Sequence, residues 1–130
     1  MQTPHQIQLD NFKNSFDRLV EVLERNIEDD DIVLDATIQR FEFTFENSWK
    51  TIKLVLKDQG IECLSPRECI KQAFRYGWIL DEDTFLNLLE ARNLTSHTYA
   101  KPIALTVYRT IKQNASAFEY LYKKIRELYL

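Results

Sequence analysis

The stretch LDATIQRFEFTFENSWKTIKLVL, residues 34–56, carries a continuous helical pattern. Large apolar side chains recur in it at steps of three and four residues, which places them on one face of an α-helix. Charged residues fall on the neighbouring faces, where pairs such as Glu46 and Lys50 are expected to form surface ion pairs. Gly60 follows as the expected end of this helix. The apolar stripe consists of Leu34, Ile38, Phe41, Phe45, Trp49, Ile52 and Leu56.

Similar patterns lie on both sides of this stretch. Upstream, apolar residues at the same spacing between Leu9 and Ile27 predict a first helix. Downstream, Ser65-Pro66-Arg67-Glu68 combines a capping serine, a proline suited to the first helical position and a capping-box glutamate. It predicts a short helix that ends near Gly77. We expect another helix from about Asp81 to about His97, and a last one from Pro102 to the C-terminus.

The acidic run Glu28-Asp29-Asp30-Asp31 separates the first two helices. Its carboxylates are expected at the N-terminus of the second helix, where the helix dipole favours negative charge. A metal site is the alternative interpretation. It is the weaker one, because consecutive carboxylates point in different directions once they are helical.

Together these patterns predict an all-α fold: an up-and-down bundle of four main helices and one short helix, forming a single domain over residues 1–130. Two Gly and three Pro leave few tight turns, and no strand-like alternation occurs. No apolar run reaches the length of a membrane span and no signal-like leader is visible, so we expect a cytoplasmic protein that does not bind membranes. The eight Phe and six Tyr suggest that some aromatic surface lies in an oligomer interface.

The charge of the chain is unevenly distributed. The net charge is −3, with a balance of −5 over residues 1–60 and of +2 over residues 61–130. The overall acidity argues against a protein that coats nucleic acid broadly. A small basic cleft remains compatible with it, because the local field matters more than the total charge.

Cys63 and Cys69 are the two cysteines of the chain. They lack the further ligands that a metal site needs, and a cytoplasmic setting argues against a disulfide. We therefore expect two reduced thiols. The residues expected to point inward from the short helix are Cys69, Ile70, Ala73 and Phe74.

The stretch Arg92-Asn93-Leu94-Thr95-Ser96-His97-Thr98-Tyr99 is the candidate functional segment. The other histidine, His5, lies where we expect a frayed N-terminus, so His97 is the well-placed group for proton transfer near neutral pH. The guanidinium of Arg92 is a planar cation suited to phosphate. A proton-transfer group beside a phosphate-binding group indicates binding of, or chemistry on, a phosphodiester or nucleotide. Neither a metal nor a cofactor is needed for that chemistry.

The geometry of this segment leaves alternatives open. Arg92 and His97 are five residues apart and diverge on an ideal helix, whereas Asn93 and His97 share a face. The groups would converge if the helix ended near Ser96, or if Arg92 acted with the His97 of a second subunit across a two-fold axis. In the purely structural alternative, His97 caps helix carbonyls, Arg92 pairs with an acid such as Glu90, and Tyr99 packs.

The chain also resembles a known family. Arg92-Asn93 followed by His97-x-Tyr99 is similar to the R-N-x-x-x-H-x-Y signature of the HEPN superfamily, in the branch called nucleotidyltransferase substrate-binding proteins. Residues 39–53 resemble the second helix of that branch. Ser65-Pro66-Arg67-Glu68 and Ala73-Phe74 with Gly77-Trp78 resemble its middle region. The similarity covers the chain from about Phe12 to Tyr122.

The resemblance implies a homodimeric helical bundle that works with a minimal nucleotidyltransferase. It further implies a toxin–antitoxin pair in which this chain is a metal-independent ribonuclease and RNA is the substrate. Arg92 and His97 would then be catalytic, Asn93 would orient them, and Tyr99 would be the residue to which the transferase attaches AMP. The roles of Glu42 and Glu46 are less defined, and both are expected on the helix surface.

Three hypotheses follow. The first is the ribonuclease toxin with its site at a dimer cleft. The second is a non-catalytic partner that presents Tyr99, or a bound small molecule, to the nucleotidyltransferase. The third is a helical scaffold in which replacing His97 has no effect in any assay.

Overall fold

A computed structural model describes residues 2–129, and within them the chain forms helices and no strands. The all-α prediction is confirmed, as are the positions of the first four helices. The helices are α1 Pro4–Leu23, α2 Asp31–Asp58, α3 Pro66–Arg75, α4 Glu82–Leu94, α5 Lys101–Asn114 and α6 Ser116–Leu128, with a 3-10 turn at Thr95–His97 between α4 and α5.

The predicted last helix is divided into α5 and α6 at Ala115, so the expected number of helices was wrong. Ala115 keeps right-handed helical angles, with φ −60° and ψ −28°. The side-chain amide of Asn114 donates to the carbonyl of Thr110 at 2.7 Å. That carbonyl is also the ordinary acceptor for the backbone N–H of Asn114, so the side chain competes with the helical bond at the break.

Side-chain caps define where the helices begin. Thr3 and Gln6 form a capping box at the start of α1. The carboxylate of Asp30 accepts from the backbone N–H of Ile32 at 2.9 Å and caps α2, so the acidic run lies at the N-terminus of this helix as predicted. Ser65 caps α3 as predicted, and its hydroxyl accepts from the backbone N–H of Glu68 at 3.2 Å.

The N-terminus is better ordered than the sequence indicates. His5 lies in the first turn of α1, half-buried, with its ring 5.3 Å from that of Tyr129. Burial and the neighbouring Asp58 carboxylate raise the pKa of Tyr129. The expectation of fraying at His5 was therefore wrong, because the capping box and the packing of Tyr129 hold this turn.

Two glycines end helices as predicted. Gly60 and Gly77 have φ values of +81° and +80°, in the left-handed region that side chains with a Cβ rarely adopt. After each glycine, the next N–H bonds back to a helix carbonyl: Ile61 to Leu56 and Trp78 to Ala73, both at 2.9 Å. These turns reverse the chain after α2 and after α3.

Cys63 and Cys69 form a disulfide, which corrects the prediction of two reduced thiols. The turn after Gly60 and the cap at Ser65 fold the chain back, and the two Cα atoms lie 5.2 Å apart. Both cysteines are buried. Phe74 also departs from the prediction: it is 42% exposed, because it lies at the margin of the inward row formed by Cys69, Ile70 and Ala73.

The core is continuous and draws residues from all six helices. Phe118 of α6 lies at its centre, with its ring 5.6 Å from that of Phe85 on α4 and 6.3 Å from that of Phe41 on α2. Burial of large aromatic rings supplies much of the driving force for folding. The core thereby fixes α4 against α2, and this contact positions the candidate site.

Candidate functional site

Arg92 lies in the last turn of α4 and forms an ion pair with α2. Its Nε donates to Oε1 of Glu46 at 3.0 Å, and its Nη2 lies 2.9 Å from the same oxygen. About one third of each side chain is exposed. The other oxygen of Glu46 accepts from the indole N–H of Trp49 at 3.1 Å. The guanidinium is therefore held in one orientation by the Glu46 carboxylate, which is itself oriented by the indole of Trp49.

This contact corrects the expected role of Glu46. The sequence pattern predicted a surface pair with Lys50, four residues along the same helix, but Glu46 binds Arg92, which is 46 residues away. The sequence contains only a weak indication that Glu46 contacts another helix. Glu46 follows the buried Phe45 and lies at the border of the apolar stripe, three residues before Trp49. Glu42 is half-buried, and no ion pair within residues 2–129 involves it.

The backbone after Arg92 tightens into a short turn. α4 ends at Leu94, and the 3-10 turn follows at once. The hydroxyl of Thr95 donates to the carbonyl of Arg92 at 2.7 Å, and that of Thr98 donates to the carbonyl of Thr95 at 3.0 Å. These side-chain bonds satisfy carbonyls that the ended helix leaves free. The helix thus ends slightly before the predicted position, and the chain turns at His97.

His97 and Tyr99 lie together on the exposed side of this turn. Their ring centroids are 6.2 Å apart, edge to face, and Tyr99 is 87% exposed. Within residues 2–129 no hydrogen bond engages the His97 ring. The purely structural alternative was therefore wrong in its expectation of a packed Tyr99 and a capping His97, and correct in giving Arg92 an acidic partner, although that partner is Glu46.

Asn93 is exposed, and the part of the chain that the structure describes gives its side-chain amide no partner. Its backbone carbonyl accepts from the hydroxyl of Ser96 at 3.4 Å. The structure therefore brings His97 and Tyr99 together and fixes Arg92 against α2. It does not connect Asn93 to either group within one chain.

The start of α5 lies beside the start of α2. The ammonium of Lys101 is 3.6 Å from the carboxylate of Asp31, and both side chains are largely exposed. Such a pair contributes little stability, about 0–1 kcal/mol. The pair shows where the segment lies. Arg92 at the end of α4 contacts α2 at Glu46, and Lys101 at the start of α5 contacts α2 at Asp31, so α2 supports the segment at both ends.

Two further observations concern ligands and membranes. Among residues 2–129 no group of three or more His, Cys, Asp or Glu side chains is arranged to hold a metal ion. No helix of the same range has the length and apolar character that crossing a bilayer requires.

Comparisons with known proteins place this architecture among relatives. The family model described as nucleotidyltransferase substrate binding protein like matches residues 7–127. A protein of Haemophilus influenzae named probable ribonuclease HepT is 29% identical over 102 residues, which cover 75% of this chain and 70% of that protein.

Two solved structures have similar folds. A Thermus thermophilus protein is 31% identical, with a TM-score of 0.80 over 88% of this chain and 98% of its own. A Haemophilus influenzae protein, described as having the fold of a substrate-binding domain of a nucleotidyltransferase, is 25% identical, with a TM-score of 0.80 over 91% and 98%. The chain therefore belongs to the nucleotidyltransferase substrate-binding protein family of HEPN bundles.

Proposed function

We propose that this chain is the ribonuclease toxin of a toxin–antitoxin pair, acting on RNA without a metal ion. The observation that carries the proposal is the arrangement around Arg92. Glu46 holds the Nε and Nη2 side of the guanidinium. Its Nη1 has no partner within residues 2–129, and an unengaged His97 follows in the next turn. A relative that is 29% identical over 75% of this chain and is named a probable ribonuclease gives further support.

The chemistry follows from these two groups. His97 removes the proton from a ribose 2′-hydroxyl, and the resulting oxygen attacks the adjacent phosphorus. The bond from phosphorus to the 5′-oxygen breaks, and that oxygen takes a proton from an imidazolium. Arg92 binds the phosphate and neutralises the charge that develops on it. The products are a 2′,3′-cyclic phosphate and a 5′-hydroxyl.

A homodimer is part of the proposal. One histidine serves as base and another as acid in the same step, and two-fold symmetry supplies both as copies of His97. The exposed position of His97 and Tyr99 suits a cleft shared by two subunits. In such a cleft Asn93 has a second subunit within reach, as expected of an orienting residue.

The partner is a minimal nucleotidyltransferase acting as antitoxin. The phenol of Tyr99 attacks the α-phosphorus of ATP in the transferase site, the bond to pyrophosphate breaks, and the tyrosine carries AMP. An exposed tyrosine 6.2 Å from the His97 ring suits this role. The added phosphate competes with RNA for Arg92, which silences the nuclease.

The alternative is a non-catalytic subunit that presents Tyr99 or a bound molecule to the nucleotidyltransferase. The family description and the Haemophilus substrate-binding fold favour it. To decide, wild type and His97→Ala are incubated with total RNA in EDTA, and each is incubated separately with the transferase and ATP in Mg²⁺ before its RNA cleavage is measured. Cleavage by wild type alone supports the nuclease. Absence of cleavage together with modification of Tyr99 supports the alternative.

A further inference from the structure

A row of three lysines extends along α2 from the candidate site. Lys50, Lys53 and Lys57 are exposed and follow one another at steps of three and four residues, so they lie on one side of the helix. Within residues 2–129 no carboxylate lies within ion-pair distance of any of them. At about 1.5 Å per residue the row extends over about 10 Å of α2.

Direct contacts connect this row to Arg92. Arg92 binds Glu46, Glu46 accepts from the indole of Trp49, and the ammonium of Lys53 lies 5.8 Å from the centre of the Trp49 ring. The row thus begins one helical turn along α2 from Glu46, the residue that binds Arg92. At its far end, Lys53 and Lys57 line a cavity of about 500 Å³ with Gly60, Ile61, Glu62 and Cys63.

We infer that the lysine row Lys50–Lys53–Lys57 binds the phosphates of the RNA strand that flank the cleavage site. The inference rests on the proposed function and specifies its substrate as a strand that extends beyond the scissile phosphate. Three cations that pair with no carboxylate of residues 2–129, on the helix whose Glu46 holds Arg92, complement the repeated charge of such a strand.

The composition of the surface favours RNA over a protein partner. Protein interfaces are depleted in lysine and enclose an apolar centre. Here three exposed lysines lie in the middle of the surface, and the exposed large apolar side chains nearest to the row in sequence, Phe43 and Leu64, lie beyond its two ends. The contribution to binding is therefore electrostatic and independent of base sequence.

The test measures RNA binding in a chain that does not cleave. In the His97→Ala background, the affinity for a labelled RNA of about 12 nucleotides is measured between about 50 and 200 mM NaCl, with and without K50Q/K53Q/K57Q. Each single-strand phosphate contact contributes about 0.7 to the slope of log affinity against log salt. The triple variant is expected to lower that slope by about 2 and to weaken binding at least about tenfold at about 100 mM.

The matched control is K112Q/K123Q/K124Q, which removes the same charge from α5 and α6. It is expected to change the slope by less than about 0.7, one phosphate contact. An unchanged slope in K50Q/K53Q/K57Q would contradict the proposed RNA binding by the lysine row. An equal loss of slope in the control would contradict it as well. A third contradicting result is that K50Q/K53Q/K57Q loses binding to the nucleotidyltransferase but keeps its affinity for RNA. The row would then bind an acidic protein surface.

The RNA-binding role of the lysine row and the proposed nuclease activity can be contradicted independently of each other. If wild type cleaves no RNA but K50Q/K53Q/K57Q lowers the slope as expected in the His97→Ala background, the lysine row is supported and the nuclease proposal is contradicted. If wild type cleaves RNA, and K50Q/K53Q/K57Q leaves both kcat/KM and the salt dependence of RNA affinity unchanged, the nuclease proposal is supported and the role of the lysine row is contradicted.

Discussion

Arg92 and the pair His97–Tyr99 lie within eight residues of each other but differ in how the fold holds them. Arg92 is fixed to α2 through Glu46, whose second oxygen binds Trp49. His97 and Tyr99 lie on an exposed turn, where their two rings meet edge to face. The bundle thus orients Arg92, the cation proposed to bind phosphate, in advance and leaves the proposed proton-transfer group His97 and the proposed acceptor Tyr99 exposed to solvent.

Replacing His97 is expected to have the largest effect. His97→Ala removes the group that moves the proton, so RNA cleavage in EDTA should fall by about 10²–10⁴-fold. Because the side chain is exposed and unbonded, the melting temperature should not change. Cleavage at the wild-type rate by this variant would remove His97 from the mechanism.

Arg92→Lys should lower kcat/KM by about 10²-fold, because lysine keeps the charge but cannot bind Glu46 and a phosphate through one planar fork. The measurement is single-turnover cleavage over a range of RNA concentrations. A loss below about threefold would show that a point charge suffices and that the orientation of Arg92 is unimportant.

Glu46→Gln should lower kcat/KM by about tenfold, since an amide holds the guanidinium less firmly than a carboxylate. The matched control is Glu42→Gln on the same helix, which should cleave like wild type. In an Arg92→Lys background Glu46→Gln should add little, because the two residues act as one unit. Full additivity in that double-variant cycle would contradict positioning through Arg92.

Tyr99→Phe should have the smallest effect on cleavage, less than about twofold, because the phenol takes no part in the proton transfers of the proposed step. It should nevertheless abolish AMP attachment by the nucleotidyltransferase and make the nuclease resistant to silencing. Intact-mass measurement after incubation with the transferase and ATP checks this. Addition of AMP to the Phe variant would place the acceptor elsewhere.

The helices were predictable from sequence because their signals are local. Apolar spacing in residues 34–56, the cap at Ser65 and the stops at Gly60 and Gly77 each depend on neighbours within a few positions. The break at Ala115 was not predicted, because the apolar spacing continues through it and Ala115 itself keeps right-handed helical angles.

The candidate site was likewise predictable from sequence only in part. The segment from Arg92 to Tyr99 was recognisable in the sequence, whereas its support by Glu46 depends on the packing of α4 against α2 and has no local signal. The disulfide between Cys63 and Cys69 was missed because the expected cytoplasmic setting argued against it. A spacing of six residues does not reveal that the turn before α3 brings the two Cα atoms within 5.2 Å.

The most direct test of the account is the chemistry of the cleaved ends. A labelled RNA is incubated with the wild-type chain in EDTA, and the termini are identified by mass spectrometry, beside an RNA with one 2′-deoxy substitution at the cleaved position. The account predicts 2′,3′-cyclic phosphate and 5′-hydroxyl ends and no cleavage at the substituted position. Ends with 5′-phosphate, or cleavage at the deoxy position, would contradict attack by the 2′-oxygen and with it the role of His97.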